Sequence, residues 1–370
     1  MRAARTRQGF GVEAHGSIRL SDVAAAAGVS SATVSRAFNL PGLVRDDVRA
    51  RILAAADDLG YVAHGAARAL ASRRSRTLGA IVPTLTNTIF ARAIDAFQRR
   101  AEEHGYILLL TTSEYDQQRE WERGRALVER GVDGLMLVGG QHDPRLIHLL
   151  EATGKPFVNT WTANRGAEHA SVGYDSRALS NMVFDYLVGL GHREFAVVTG
   201  SASHNDRVAG RLLGMADAIR RHGLVVPPER MIHRRYSIDA GRDAFRELAA
   251  HGPLPTAIVC GNDILASGVL FEARAQGIDV PGQLSVVGNG DLDIAAHTVP
   301  PLTTVLTPKV EIGTWAADYL LARLDGREID LPPELPVSLV VRGTSGPAPA
   351  ASRPVAAERR KPAEGRKVPA

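Results

Sequence analysis

Cysteine is almost absent: Cys260 is the only one in 370 residues. No intrachain disulfide can form, and a reducing setting fits. Cysteine and histidine do not cluster at zinc-ligand spacing, so no metal is expected, and no motif requires a cofactor. Long apolar runs are missing too. None approaches the ~18 residues of a membrane span, so no membrane association is expected. Residues 1–16 carry arginine without an apolar stretch, which is not the pattern of a secretory signal; the expected location is the cytoplasm. Nor is there a Gly-rich phosphate loop ahead of a helix, or a serine at a nucleophile elbow. Gly288-Asn289-Gly290 lacks a third glycine, and His192, His204, His251 and His297 are scattered along the chain. These absences argue against an enzyme.

What is present is the composition of a globular protein, 45% hydrophobic and 23% charged, in a chain long enough for two or three domains. The net charge of +4 is unevenly spread. Residues 1–76 hold 12 Arg, no Lys and 6 acids, a net of +6. Residues 344–370 hold 6 basic and 2 acidic residues, a net of +4, which leaves −6 for residues 77–343. A basic head on an acidic body suggests a polyanion partner for the head alone. A solvated basic face is the plainer reading, and the local pattern of the head weighs against it.

That pattern runs from Leu20 to Arg36 and reads as helix, tight turn, helix. Ser21 is expected as the first N-cap, with Asp22 adding negative charge where the helix dipole is positive. Val23 and four alanines make a narrow helix, and Gly28 ends it where the backbone must turn left-handed. Val29 is an apolar pin, and Ser30 caps a second helix with Val34 and Ala37 at helical spacing. Small residues let the two helices cross closely, the build that sends a second helix into the DNA major groove. An ordinary helix pair could share it. Arg45 to Leu59 reads as a third helix with Val48, Ile52, Leu53 and Ala56 on one face, closed by Gly60 and Tyr61. Residues 17–63 thus form a compact all-α head, preceded by a disordered basic extension at 1–16. Residues 64–76 read as a linker in which Leu70 has no core to join; a short helix in the minor groove would bury it between base steps.

From Thr77 the texture changes to apolar strands alternating with helices. Strands are expected near residues 78–83, 106–110, 132–138, 156–159, 194–199, 231–235, 257–260 and 284–287, with a helix between each pair. Continuous apolar strands split by helices mean parallel sheets covered on both faces. Two such runs imply an α/β body of two doubly wound parallel-sheet subdomains, with a cleft outside the carboxyl ends of the strands. The expected division is about 77–173 with 305–333, and about 174–304 with 334–343. Residues 344–370, rich in Pro, Ala and Arg, read as a disordered tail.

These stretches resemble the lac-repressor/gal-repressor (LacI/GalR) family over about residues 18–343. The likeness rests on Asp22-Val23-Ala24, Ala27-Gly28-Val29-Ser30, Thr33-Val34-Ser35-Arg36, Leu59-Gly60-Tyr61 and Ala67-Arg68-Ala69-Leu70. In the body it rests on Arg130-Gly131-Val132-Asp133-Gly134, Leu190-Gly191-His192-Arg193, Gly261-Asn262-Asp263 and Pro301-Leu302-Thr303-Thr304-Val305. The resemblance implies a helix-turn-helix head, a hinge helix and a periplasmic-binding-protein-like body that dimerises. The implied activity is a transcriptional repressor that binds a pseudo-palindromic operator in double-stranded DNA and answers to a sugar or sugar-acid effector. The loop from Gly288 to His297 resembles the gluconate-sensing branch. No heptad-bearing tail argues for tetramers.

Carried over residue by residue, Ser31, Ala32 and Arg36 fall where the family reads base edges, and Ser21, Ser30, Thr33 and Ser35 where it meets phosphates. Leu70 matches the minor-groove leucine, with Ala67 and Arg68 beside it. In the body, Arg211 matches an arginine that binds effector oxygens, and its forked donor suits a sugar acid or polyol. Asn262 follows a strand end and can bond hydroxyls in both directions. Trp161 could stack on a ligand or simply pack in the core. Arg207, Asn87 and Phe90 complete the expected lining, although Asn87-Thr88 departs from the family's Asn-Pro. Gly290 stands where the family has the first of two aspartates, so Asp291 is the expected replacement. The rival readings are a cytoplasmic sugar-binding protein or a sugar-processing enzyme without specific DNA binding.

Overall fold

The computed structural model describes residues 18–62, 74–86 and 88–349. The chain divides into two compact units, one ending at Arg76 and the other beginning at Thr77.

The first unit holds three helices: α1 (Leu20–Ala27), α2 (Ser31–Asn39) and α3 (Asp46–Leu59). Its core is Val23, Ala24, Ala27, Val34, Ala37, Ile52 and Ala56, with Val29, Phe38 and Tyr61 packed around it. Phe38 and Tyr61 meet at 5.9 Å between ring centroids, so the chain beyond Gly60 does fold back. Gly28 sits at φ +64°, and the turn it makes carries Val29 into the core. Ser30 caps α2, its hydroxyl accepting from the Thr33 amide at 3.2 Å. The start of α1 differs from expectation. Arg19 is the cap residue, and the Asp22 carboxylate reaches back to accept its amide at 2.8 Å. A charged acceptor one turn inside the helix displaces Ser21 from that role, because it meets both the amide and the dipole.

The second unit alternates strand and helix. In chain order it holds β1 (Thr77–Val82), α4 (Thr88–Glu103), β2 (Ile107–Thr112), α5 (Gln117–Glu129), β3 (Gly134–Val138), α6 (Pro144–Ala152), β4 (Phe157–Thr160) and β5 (Ser171–Val172). There follow α7 (Ser176–Gly189), β6 (Phe195–Thr199), α8 (Asp206–His222), β7 (Met231–His233), α9 (Ile238–Ala250), β8 (Ala257–Cys260), α10 (Asp263–Ala275) and β9 (Ser285–Val287). The chain ends through β10 (Thr304–Leu306), α11 (Lys309–Leu324) and β11 (Ser338–Val340). Two parallel sheets result, ordered β2-β1-β3-β4-β5 and β7-β6-β8-β9. Each is the centre of a lobe. Strands β1, β3 and β6 are buried along their whole length, as continuous apolar runs require. Strand β2 differs: it lies at a sheet edge, and Ile107 is 62% exposed.

After the second sheet the chain crosses back. α11 packs on α4 of the first lobe, and Gly313 makes this possible: a Cβ there would lie 2.1 Å from the Ala93 carbonyl oxygen. β10 and β11 pair antiparallel as a separate ribbon. Residues 344–349 are not loose. Thr344 is fully buried, its hydroxyl donates to the Val286 carbonyl at 2.7 Å, and the Ala348 amide donates to Leu190 at 2.9 Å. The open edge of β9 offers backbone partners to this segment, and that outweighs its disorder-prone composition.

Candidate functional site

Residues that follow the strands of both sheets meet in one small cavity of the body. Ile89 and Phe90 arrive after β1, Tyr115 after β2, Trp161 after β4 and Tyr174 after β5. From the second sheet come Asn205, Arg207 and Arg211 after β6, Tyr236 after β7, Gly261 and Asn262 after β8, and Asn289 after β9. Every contribution leaves the carboxyl end of its strand, where parallel sheets bind ligands.

The wall on the first lobe is aromatic. Trp161 is 2% exposed and meets Phe90 edge to face at 5.0 Å. Tyr115 and Tyr236 approach from opposite lobes, with centroids 6.5 Å apart. Gly200 makes room for that ring, since a Cβ there would lie 2.6 Å from the Tyr236 hydroxyl. Burial pushes the Tyr115 and Tyr174 hydroxyls up, against the lowering influence of Arg207 and Arg211. Both therefore stay neutral and can donate. Tyr115 and Trp161 have positive φ, +61° and +60°, a strained backbone for such side chains.

Four buried polar atoms at this cavity lack a hydrogen-bond partner among the described residues: Trp161 Nε1, Arg211 Nε, Asn262 Nδ2 and Asn289 Oδ1. Three are donors and one is an acceptor. The asparagines cannot turn to satisfy themselves. Asn262 spends its Oδ1 capping α10 through the Leu265 amide at 2.9 Å, and Asn289 spends its Nδ2 on the Gly261 carbonyl at 3.3 Å. An unpaired buried polar group costs roughly 1–3 kcal/mol, so four around one cavity point to a ligand that completes them. Among the described residues, no aspartate or glutamate lines the cavity.

Of the expected lining residues, Phe90, Trp161, Arg207, Arg211 and Asn262 come together here. Arg207 is already engaged, bonding Asp206 at 2.6 Å and the Val138 carbonyl at 3.2 Å. Asn87 lies outside the described residues. Asp291 does not reach the cavity. Its carboxylate pairs with Arg342 at 2.7 Å in a separate depression of about 410 Å³. Gly290 and Asp291 both have positive φ, +128° and +47°, and this double left-handed turn sends the side chain to the other side. Nearby, the buried carboxylate belongs to Asp263, which accepts from the Thr304 hydroxyl and from the Leu292 amide. Burial raises its pKa to about 6. Gly288 must be glycine, because a Cβ would lie 2.2 Å from Asp263 Oδ1. Sequence reasoning missed Tyr115, Tyr174, Tyr236 and Asn289; the rule that sites gather after parallel strands could have found them.

In the head, Ser21, Ser30, Ser31, Ala32 and Arg36 are exposed, and Thr33 and Ser35 half-buried. The Ser30 and Thr33 hydroxyls bond each other at 2.9 Å, and Ser35 accepts from Asn39 at 3.2 Å. Arg36 has no ion-pair partner among the described residues, so its guanidinium is available. Ala67, Arg68 and Leu70 lie outside the described residues.

Comparison with known proteins agrees with both units. The family model for bacterial regulatory proteins of the lacI family matches residues 19–64, and the periplasmic binding protein-like domain matches 184–345. The chain is 31% identical to the HTH-type transcriptional regulator GntR of Escherichia coli over 310 residues, 84% of this chain and 93% of that protein. It is 32% identical to the Ribose operon repressor of Escherichia coli over 311 residues, 82% and 92% of the two chains. A solved LacI-family regulator from Silicibacter pomeroyi aligns with a TM-score of 0.81 at 26% identity, covering 89% of this chain and 99% of that one. The lac repressor dimer bound to operator and an anti-inducer aligns at 0.77, with the same identity and coverage. Among the described residues, no helix is long and apolar enough to cross a membrane.

Proposed function

This chain belongs to the LacI family of bacterial regulatory proteins and is a DNA-binding transcriptional regulator rather than an enzyme; from that premise we propose that it is a dimeric repressor whose operator affinity is set by a sugar acid in the Arg211 cavity. Arg36 reads a base edge, with Ser31 and Ala32 beside it, while Ser21, Ser30, Thr33 and Ser35 serve phosphates. Ala67, Arg68 and Leu70, in the 64–76 segment, meet the operator's minor groove. The site of action is the nucleoid. The effector changes the relative pose of the two lobes and so the fraction of DNA-competent dimer, a coupling of typically ~1–3 kcal/mol.

One observation carries the choice of an acid over a neutral sugar: the balance of unpaired groups. Three donors face one acceptor, one donor is the buried Nε of the half-buried Arg211, and no acidic side chain lines the cavity among the described residues. A neutral polyol brings an O–H donor with every hydroxyl and leaves the guanidinium without a counter-charge. A carboxylate brings acceptors only and matches the forked donor. The test is calorimetric titration with D-gluconate, D-glucose and D-glucitol, matched in size and differing in the carboxylate. Gluconate should bind at least about tenfold tighter than the other two, and Arg211→Gln should erase the difference. Equal affinities would refute the acid reading. Operator binding with and without gluconate then tests the repressor.

A further inference from the structure

The two lobes touch through more than the ligand cavity. Beside it, the start of α8 in the second lobe reaches onto the loop after β3 in the first. The Gly140 amide donates to Asp206 Oδ2 at 2.7 Å. Arg207 extends its Nη1 to the Val138 carbonyl at 3.2 Å while bonding Asp206 Oδ1. Arg207 and Asp206 keep 10% and 20% of their side-chain surface exposed, so these contacts are shielded from water. Gly139 between the two bonded residues has φ +95°, and a Cβ there would lie 2.0 Å from Arg207 Nη1 and 2.7 Å from Asp206 Oδ1. The guanidinium fills the space that any other residue would occupy. The loop is also held from beneath. His142 sits at 3.0 Å from the Gly139 carbonyl through Nε2, at 3.0 Å from Asn159 Oδ1 through the same atom, and at 3.0 Å from Glu120 through Nδ1.

The cavity these contacts flank measures about 40 Å³. Occupied small-molecule pockets are ~300–1,000 Å³, and 40 Å³ suits a few waters. A six-carbon ligand enters only if the lobes part, and parting them breaks the Asp206 and Arg207 contacts. We propose that Asp206 and Arg207, docked on the Gly139–Gly140 loop, are positioning residues that latch the lobes together and set how long the effector stays bound. The timing claim rests on the ligand reading given above; the latch itself does not. Arg207 then holds the lobes and does not grip the ligand, which leaves recognition of the acid to Arg211.

Hydrogen exchange at the Gly140 amide of the full-length protein reads the latch directly. Gluconate release, followed by intrinsic tryptophan fluorescence to which Trp161 contributes, reads its grip. Asp206→Ala removes the Gly140 contact and the charge that holds Arg207 in place, whereas Asp206→Asn keeps an oxygen for Gly140 and loses the charge facing Arg207. Gly139→Ala keeps every latch side chain and fills the space that Arg207 needs; because φ +95° strains any side chain there, its melting curve is measured alongside. Gly140 exchange should rise about tenfold or more in Asp206→Ala and stay near wild type in Asp206→Asn. Release should speed up about tenfold in Asp206→Ala and Gly139→Ala, and entry, which also requires the lobes to part, should speed up rather than slow. Unchanged exchange in Asp206→Ala overturns the latch. Faster exchange with unchanged release overturns its control of the effector. If gluconate fails to bind the wild type, the acid reading falls, and the exchange measurement still decides whether the latch exists.

Discussion

The head and the body put their functional groups in opposite places. In the head, Arg36 and the serines of α2 stand on the outside of a small core of Val, Ala and Ile. In the body, Arg211, Asn262, Asn289 and Trp161 turn inward, with polar atoms buried and unpaired. An outside surface asks only that the scaffold fold, since water satisfies the reading groups until DNA arrives. An inside site asks that several strand ends be placed together, and it carries the strain of groups left incomplete. Function should therefore be separable from stability in the head and entangled with it in the body.

The strongest way to break this comparison is to remove the head's core. Ile52 is fully buried in it, and Ile52→Ala should cost about 2–5 kcal/mol. In so small a unit that should unfold the head and abolish operator binding, while calorimetry on the body still shows effector binding. Loss of effector binding as well would mean that the two units are not energetically separate.

Arg36→Ala sharpens the same contrast from the surface. The head should melt as before, since Arg36 is exposed and makes no ion pair among the described residues. Discrimination among operator variants should drop by roughly 1–3 kcal/mol in competitive gel-shift assays, the worth of one bidentate base contact. A uniform loss across all sequences would instead make Arg36 a phosphate contact.

The smallest expected effect is in pH dependence, and it belongs to the body alone. Burial by itself pushes His142 down, but Glu120, the Gly139 carbonyl and Asn159 outweigh it and hold the ring above its ordinary value. Its partners are acceptors on both nitrogens, so the imidazolium is the fitted form. A raised pKa contributes stability that is full below pH ~6.5 and fades as pH rises through the folded value. Between pH 6 and 9 the body's melting temperature should fall by the order of a few degrees, and His142→Gln should flatten that slope. An identical slope in the variant would show that another group titrates there.

The same contrast explains what was legible in advance. The Gly28 turn, the Ser30 cap and the three-helix core follow from local chemistry, and the structure reproduces them. The one local error, Ser21 as the cap of α1, arose where two acceptors compete and Asp22 carries the charge. In the body, the alternation of strands and helices was legible, and so were Arg211 and Asn262. Asp291 was not placed correctly, because two consecutive left-handed residues turn it toward Arg342 and Asp263 already holds the buried carboxylate position. Tyr115, Tyr174 and Tyr236 lie on three loops separated by dozens of residues, and no spacing links them. Residues 344–349 read as tail because their anchor is the edge of β9.

What the amino-acid order determined unaided was the set of elements: helix ends set by Gly28, Gly60 and the caps, buried parallel strands set by apolar runs, and a basic head on an acidic body. These depend on interactions within a few residues or on composition. What only the tertiary structure decided was which polar groups would be left unpaired, and where the two lobes would hold each other. Both are properties of distances between strand ends far apart in the chain. Asn262 keeps an unpaired amide nitrogen at the cavity only because its oxygen is spent on α10, and Gly139 becomes a docking point only because Arg207 arrives from the other lobe.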